Sequence, residues 1–297
     1  MSFDRSFKVN NYALAYFDVL NQTEHLRKMN KLPENEEEYI EFVNLLRKTF
    51  GVIDGFRKLF DSYFIGQLEM KGYFKKETDN LNAEQKEAFR IFQNIKIDSQ
   101  LFSDTVLYYT SLGEDDEHIP MVDIMRLFHA SASTMVGALA GNLAVRGAIE
   151  VGIGSNFFKD EIYGPVLYHA HYLESEVAKY PRIVIGKELF KYIKTGKSVP
   201  DKTIVDNRIQ YSAERCFKMI YKDVDGVYAL DYLGEVMYES ISTNHEIKKK
   251  FKGFVKDAYK YIVDQYNKHM KEKNQKLTGR YYLLKNYFDE RRKEYWS

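Results

Sequence analysis

Two aspartates stand at the ends of apolar, strand-like segments, and this placement restricts how the chain can fold. Asp18 follows the apolar residues 12–17, and Asp104 lies just before the apolar residues 105–109. Burying an unpaired carboxylate is costly, so two carboxylates at neighbouring strand ends favour a divalent cation between them. A cation held in this way can bind phosphate. The pattern therefore predicts an enzyme that acts on nucleotides.

Composition narrows the class of protein and its partners. The chain has 297 residues, which suffice for one large domain or for one domain with an appendage. Its formal net charge of +1 gives no bulk attraction to nucleic acid or to anionic membranes, and we expect neither as a partner. The N-terminus lacks the apolar core of a signal peptide, and no apolar run is long enough to span a membrane. Cys216 is the single cysteine of the sequence, which excludes a disulfide within the chain. These features predict a soluble, cytoplasmic protein.

The first half of the chain alternates predicted strands with a long helix. Apolar residues recur at gaps of three and four between residues 39 and 60, which predicts an amphipathic helix with a bend or break at Gly51 and Gly55. Asn21 and Asn80 stand at predicted helix starts. The pair Ser103-Asp104 suits a tight turn, and the predicted strands cover residues 12–19, 94–102 and 105–111.

The second half continues with helices and shorter strands. Helices are predicted over residues 121–144, 165–179, 187–194 and much of the chain after 234, and strands over 147–154 and 182–185. Asp225-Gly226 between apolar segments predicts a hairpin over residues 217–232. The order of elements predicts an α+β sheet with helices on one face.

Several local patterns, in this order along the chain, resemble the class III nucleotidyl cyclases. They are Asp18 with Thr23 at the end of the first strand, Ser103-Asp104 before an apolar strand, the segment 146–152, and the segments 161–174 and 182–185. In the family, the first strand ends in an aspartate and a threonine, as at Asp18 and Thr23, and a Gly-Asp pair opens the hairpin where this chain has Ser103-Asp104. A strand Arg-x-Gly-Ile-x-x-Gly corresponds to segment 146–152, and a helix followed by a strand corresponds to segments 161–174 and 182–185. The chain looks closest to the stand-alone bacterial Pycsar-type enzymes, which make cyclic pyrimidine nucleotides in antiphage defence.

The resemblance implies a fold and a domain arrangement. The fold would be a ferredoxin-like or palm-type antiparallel sheet with helices, followed by a C-terminal helical extension. The catalytic domain would cover residues 1–232, with a helical insertion at about 31–93, and the extension would cover residues 233–297. Family sites form between two subunits, so the resemblance also implies a homodimer. The substrate would be a nucleoside triphosphate and the product a 3′,5′-cyclic mononucleotide with pyrophosphate.

The resemblance also implies roles for individual residues. Mg²⁺ or Mn²⁺, two per site, would be bound by Asp18, Asp104 and the carbonyl of Val19. The base would be read by three residues, Gln100, Phe102 and Glu161. The family's transition-state asparagine and arginine correspond to Tyr168 and Tyr172, which carry no positive charge near neutral pH. These two tyrosines, with Arg146 or Lys222 as phosphate ligands, would come from the other subunit.

Other interpretations of the same residues stay open. Asp18 could cap a helix, Asp104 could be a turn residue only, and Arg146 could pair with an acid at the start of its strand. His169 and His171 lie two apart on a predicted helix and suit packing better than metal binding. Two other functions compete with the cyclase. They are a cyclase-like nucleotide sensor without turnover and a palm-fold oligonucleotide synthase.

Overall fold

The computed structural model describes residues 8–20, 27–69, 82, 86, 97–113, 118–157 and 161–296. Eight strands of these residues form one sheet in the order β2-β3-β1-β4-β6-β8-β7, with the short β5 paired to β4. The strands are β1 (Lys8–Val19), β2 (Asp98–Phe102), β3 (Thr105–Ser111), β4 (Val145–Phe157), β5 (Glu161–Tyr163), β6 (Ile183–Ile185), β7 (Ile220–Lys222) and β8 (Tyr228–Leu230).

The described residues also form eight helices, and the predicted α+β class is confirmed. They are α1 (Glu36–Glu69), α2 (Pro120–Ala140), α3 (Pro165–Tyr172), α4 (Lys187–Lys197), α5 (Ile204–Lys218), α6 (Glu235–Ser242), α7 (His245–Lys271) and α8 (Gln275–Arg291). Single π-helical turns follow α3 and α8, at Leu173–Val177 and Arg292–Trp296. Within the described part of the chain, every helix is too short or too polar to cross a membrane.

The first four strands have a simple topology that is compatible with a ferredoxin-like or palm-type arrangement. The chain order β1-α1-β2-β3-α2-β4 gives the sheet order β2-β3-β1-β4, and every neighbouring pair among these strands is antiparallel. The sheet then continues with β6, which runs parallel to β4. The whole sheet is therefore mixed, not antiparallel throughout as predicted.

The two faces of the sheet are covered by different helices. Successive residues of a strand point to opposite faces, so Ala13 and Phe17 of β1 join the core beneath α1 and α2. Tyr12 and Leu14 point the other way and pack with Val166 of α3. The prediction of helices on one face only is therefore wrong, because α3 returns across the second face.

Several boundaries differ from the predictions for local reasons. Helix α1 runs through Gly51 and Gly55 without a break, since both glycines face open space on an otherwise regular helix. The unpredicted α5 begins at a capping box formed by Thr203 and Asp206 and extends to Lys218, which moves the start of β7 to Ile220. The predicted helix starts at Asn21 and Asn80 lie outside the described residues.

The C-terminal helices share the core of the sheet. Val255 of α7 and Phe288 of α8 belong to the same buried cluster as Leu127 of α2. Polar contacts then attach α8 to the chain that follows β8. Asp231 Oδ1 accepts hydrogen bonds from Tyr287 Oη and Arg291 Nε, both at 2.9 Å, and Trp296 Nε1 donates to the Leu233 carbonyl at 2.7 Å.

Removal of the Asp231 carboxylate should destabilise the whole protein. Asp231→Ala would leave the Tyr287 hydroxyl and the Arg291 guanidinium without their acceptor, in a place where Asp231 is only 8% exposed. We expect the free energy of unfolding to fall by about 2–3 kcal/mol in denaturant titrations. Asp201→Ala, in the exposed connection between α4 and α5, is the matched control and should change it by less than about 0.5 kcal/mol. Equal effects of the two variants would contradict this assignment.

Candidate active site

The pairing of β1 with its neighbours brings Asp18 and Asp104 together. Asp18 is the penultimate residue of β1 and lies opposite Thr105 of β3 and Arg146 of β4. Asp104 lies in the turn between β2 and β3, and its carbonyl accepts a hydrogen bond from Val19 N at 3.1 Å. The two aspartates predicted as metal ligands and the carbonyl of Val19 therefore lie at one corner of the sheet.

Arg146 bridges Asp18 to a second acid, Glu174, within the same chain. Its Nη2 lies 3.1 Å from Asp18 Oδ2 and 2.7 Å from Glu174 Oε1. The contact with Glu174 is an ion pair without hydrogen-bond geometry, and Arg146 Nε is buried without a hydrogen-bond acceptor among the described residues. One nitrogen thus makes both contacts. This ion pair lies within one chain, whereas the resemblance implies that Arg146 or Lys222 acts from the second subunit.

Burial and mutual repulsion perturb the acids of this cluster. Burial raises the pKa of Asp18, the guanidinium of Arg146 lowers it, and the charge of Asp104 raises it again, so that the net change is upward. Glu174 has a side chain only 3% exposed. Its burial, with the nearby charge of Asp18, raises its pKa to about 7 despite the attraction of Arg146. Arg146 therefore offsets only part of the repulsion among the carboxylates.

A cavity of about 940 Å³ opens beside the acids, on the face of the sheet that α3 covers. This volume lies in the range typical of small-molecule sites. Its wall contains four residues predicted to contact the substrate, Gln100, Phe102, Glu161 and Tyr168. It also contains Tyr16, Thr105 and His171, and the charges of Glu174, Asp18 and Asp104 add to burial in raising the pKa of Tyr16. The cavity wall therefore reaches from Tyr16 and Thr105, which neighbour the acids, to the predicted base-reading residues.

Gln100 has a fixed orientation at this cavity. Its Oε1 accepts a hydrogen bond from Ile162 N of β5 at 3.1 Å. A backbone N–H can only donate, so the side-chain oxygen must face β5 and the amide nitrogen must face away from it. Gln100 thus offers a donor to a ligand, whereas the exposed carboxylate of Glu161 offers acceptors.

The remaining predicted residues lie at different distances from this corner. Tyr168 and Tyr172 of α3 are 66% and 51% exposed, and of the two only Tyr168 lines the cavity. Lys222 is on β7, which β4, β6 and β8 separate from β1, so a single chain does not bring Lys222 to the aspartates. His171 packs against Tyr16 with ring centroids 5.4 Å apart and the rings tilted by 40°, which matches its predicted packing role.

The donor atoms suit a hard divalent cation that is completed by water and phosphate. Among the residues that the structure describes, no three His, Cys, Asp or Glu side chains are arranged to hold a metal ion by themselves. Mg²⁺, however, is commonly bound by one or two carboxylates together with substrate phosphates. Asp18, Asp104 and the Val19 carbonyl match that requirement. Burial and, to a smaller extent, the charge of Asp104 raise the pKa of Asp18, and a bound cation would favour its charged form.

No protein-family model matches the chain, and no curated protein matches it. Its function therefore has to be inferred from the geometry of the site.

Two charged residues near the site were not among the predicted site residues. Glu174 was only the last position of a pattern, and its spacing from Arg146 gives no signal that the two side chains meet. Arg280 of α8 is partly buried, which lowers its pKa, and the positive charge of Arg146 lowers it further. The C-terminal helices therefore place a second cation within electrostatic reach of Arg146.

The turn that carries Asp104 contains a strained residue. Ser103 has a φ of 57°, in the left-handed region where glycine is favoured. Ser103→Gly should relieve about 1–2 kcal/mol of strain, offset by about 0.5–1 kcal/mol of added freedom in the unfolded chain. We therefore expect a net stabilisation of about 0.5–1 kcal/mol in denaturant unfolding. Ser103→Ala keeps the strain and is the control. A stabilisation by alanine equal to that by glycine would contradict this explanation.

Glu174 should make stability depend on pH. The folded protein keeps a proton on this residue up to a pKa of about 7, whereas the unfolded chain releases it near 4.5. Between these values the folded state holds more protons, so raising the pH favours unfolding. Glu174→Gln should remove this contribution, and its free energy of unfolding relative to the wild type should rise with pH across the window. Denaturant titrations at several pH values measure this, with the exposed Glu176→Gln as control. Parallel profiles for wild type and Glu174→Gln would refute it.

Proposed function

We propose that the protein is a nucleotidyl cyclase that converts a nucleoside triphosphate to a 3′,5′-cyclic mononucleotide and pyrophosphate. The observation that supports this most directly is that Asp18 and Asp104 meet at one corner of the sheet, next to Tyr16 and Thr105, two residues that line a large cavity. The β-α-β-β-α-β order of the first four strands, which is compatible with a palm-type fold, supports the finer assignment to the class III cyclase fold. The product would serve as a second messenger, as the resemblance to antiphage-defence enzymes implies.

The proposed reaction needs charge control more than covalent chemistry from the protein. The 3′-oxygen of the ribose attacks the α-phosphorus, the bond from that phosphorus to the bridging oxygen breaks, and pyrophosphate leaves while the 3′-hydroxyl loses its proton. Divalent cations held by Asp18, Asp104 and the Val19 carbonyl would reduce the repulsion between nucleophile and phosphate and stabilise the leaving group. The guanidinium of Arg146 lies beside these acids, and once a metal ion displaced it from Asp18 its N–H groups would be donors for phosphate oxygens.

The far end of the cavity suits a nucleobase. The free amide nitrogen of Gln100 donates, the carboxylate of Glu161 accepts, and the ring of Phe102, which is 72% exposed, offers a surface for stacking. This set reads a base edge with one acceptor and one donor. We propose that the choice of base depends on how these three side chains meet that edge.

A homodimer would complete the site. Phe102, Tyr163, Tyr168 and Tyr172 form an exposed aromatic rim around the cavity mouth, each at least half exposed. A second copy could cover this rim and bring its own Lys222 towards the phosphates, which one chain alone cannot do. The tyrosines would then position the ribose by hydrogen bonds, in place of the asparagine and arginine that the resemblance leads us to expect.

A nucleotide sensor is the second candidate, and one observation favours it. Tyr168 and Tyr172 supply no positive charge at the positions where the family carries its transition-state arginine, and Arg146 is already paired with two acids. A sensor would bind a nucleotide in the same cavity without converting it.

Incubation with each of the four ribonucleoside triphosphates and Mn²⁺, followed by mass spectrometry, tests the proposal. We expect one substrate to yield a cyclic mononucleotide. Asp104→Asn should lower kcat by at least about 100-fold, equivalent to about 2.7 kcal/mol of transition-state stabilisation. Asp98→Asn, at the other end of the same hairpin, is the matched control and should retain activity.

The other products have equally definite meanings. A linear or cyclic dinucleotide would replace the cyclase by an oligonucleotide synthase. Nucleotide binding by the folded dimer without any product, and without loss in Asp104→Asn, would replace it by the sensor.

A further inference from the structure

We infer that Arg146 is a built-in counter-ion for Asp18, and that Glu174 is the positioning residue that draws Arg146 away when a divalent cation binds. This inference rests on the proposed metal site, and it concerns residues of this chain only. It assigns Glu174 a specific task that depends on Arg146.

The geometry of the bridge carries the inference. A single nitrogen, Arg146 Nη2, contacts both carboxylates, at 3.1 Å from Asp18 and 2.7 Å from Glu174. A guanidinium that served only as a structural ion pair would ordinarily use its fork to bind one carboxylate through two nitrogens. Here the positive charge is shared, with the shorter distance on the side of Glu174.

The charges around Arg146 explain why its contact with two acids could serve metal binding. Below its pKa of about 7, Glu174 keeps a proton and shares a hydrogen bond with Asp18. Above that pKa, without a cation, the carboxylates of Asp18, Asp104 and Glu174 repel one another in a partly buried corner, and Arg146 is the cation that contacts two of them. Asp18 has a side chain that is 21% exposed, whereas that of Glu174 is 3% exposed. Asp18 is therefore the more accessible carboxylate to an ion from solution, and Glu174 is the one screened from it.

Competition between the two cations follows from this arrangement. A divalent cation at Asp18 repels the guanidinium and takes over its role as counter-ion. Glu174 holds Arg146 within the site, so the guanidinium is not lost to solvent. Its donors are then directed away from Asp18 and become available to an anionic ligand.

Mn²⁺ binding without nucleotide tests this coupling, measured by calorimetry or by electron paramagnetic resonance. The variants are Arg146→Met, Glu174→Gln and the double variant, with Asp18→Asn to identify the site and exposed Glu176→Gln as the matched control. Arg146→Lys keeps the charge and serves if the methionine variant does not fold. Circular dichroism verifies folding in each case.

The expected changes have opposite signs. Arg146→Met should tighten Mn²⁺ binding about tenfold, because it removes a competitor held by a charged contact. Glu174→Gln should weaken it several-fold, because Arg146 is then left to Asp18 alone. Arg146→Lys, which keeps a positive charge beside Asp18, should bind Mn²⁺ less tightly than Arg146→Met.

The double variant decides how Glu174 acts. If Glu174 works through Arg146, Glu174→Gln has no further effect on Mn²⁺ affinity in the Arg146→Met background. An equal weakening in both backgrounds would show that Glu174 acts by its own charge and would overturn the inference. An unchanged Mn²⁺ affinity in Arg146→Met would also overturn it. The same holds if Asp18→Asn fails to reduce Mn²⁺ binding in both the wild type and the Arg146→Met background. Coupled Mn²⁺ binding without cyclic product would instead reject the cyclase and leave the coupling intact.

Discussion

The pairing of β1 with both of its neighbours is the constraint on which the site depends. Its residues are in continuous register with β4 from Lys8 to Val19 and with β3 from Tyr12 to Asp18. Because side chains alternate between the faces, a shift by one residue would move Asp18 from the cavity to the core beneath α1 and α2. Burial of Phe17 on one face and Leu14 on the other opposes such a shift. The apolar core thus fixes where the acid lies.

The pKa values of the acids at this corner of the sheet depend on where the charged side chains lie and not on the net charge of the chain. The chain is nearly neutral overall, yet Asp18, Asp104 and Glu174 lie close enough to perturb one another. Arg146 contacts two of them, but its attraction does not outweigh burial and the charge of Asp18, which together raise the pKa of Glu174. In the proposed function, a corner in this state would bind additional positive charge and leave the guanidinium to an anion. Both properties are useful to a protein that handles a metal–triphosphate complex.

Sequence reasoning captured the parts of the fold that local pattern determines. The Ser103-Asp104 turn and the position of Asp18 at a strand end follow from turn chemistry and apolar periodicity, and both occur in the structure. A strand of three residues such as β5 has too few positions to show a period, and the face on which α3 packs depends on tertiary contacts. The capping box at Thr203 was a readable signal for α5 that was not used. The meeting of Arg146 with Glu174 has no local signature, because a helix and a strand distant in sequence supply the two side chains.

The position of Arg146 offers an explanation for the uncharged residues Tyr168 and Tyr172 on α3. The resemblance leads to the expectation of an arginine on α3, but the structure places a guanidinium on β4, already beside Asp18 in the same chain. A strand residue paired with its neighbour is held more rigidly than an exposed helical side chain, so a cation at this position needs less ordering when substrate binds. In the proposed function, the exposed tyrosines would contact the sugar or a second copy of the chain. A site with both aspartates but without the helical arginine could therefore still bind metal and phosphate. This requires that Arg146 leaves Asp18 when a metal ion binds there.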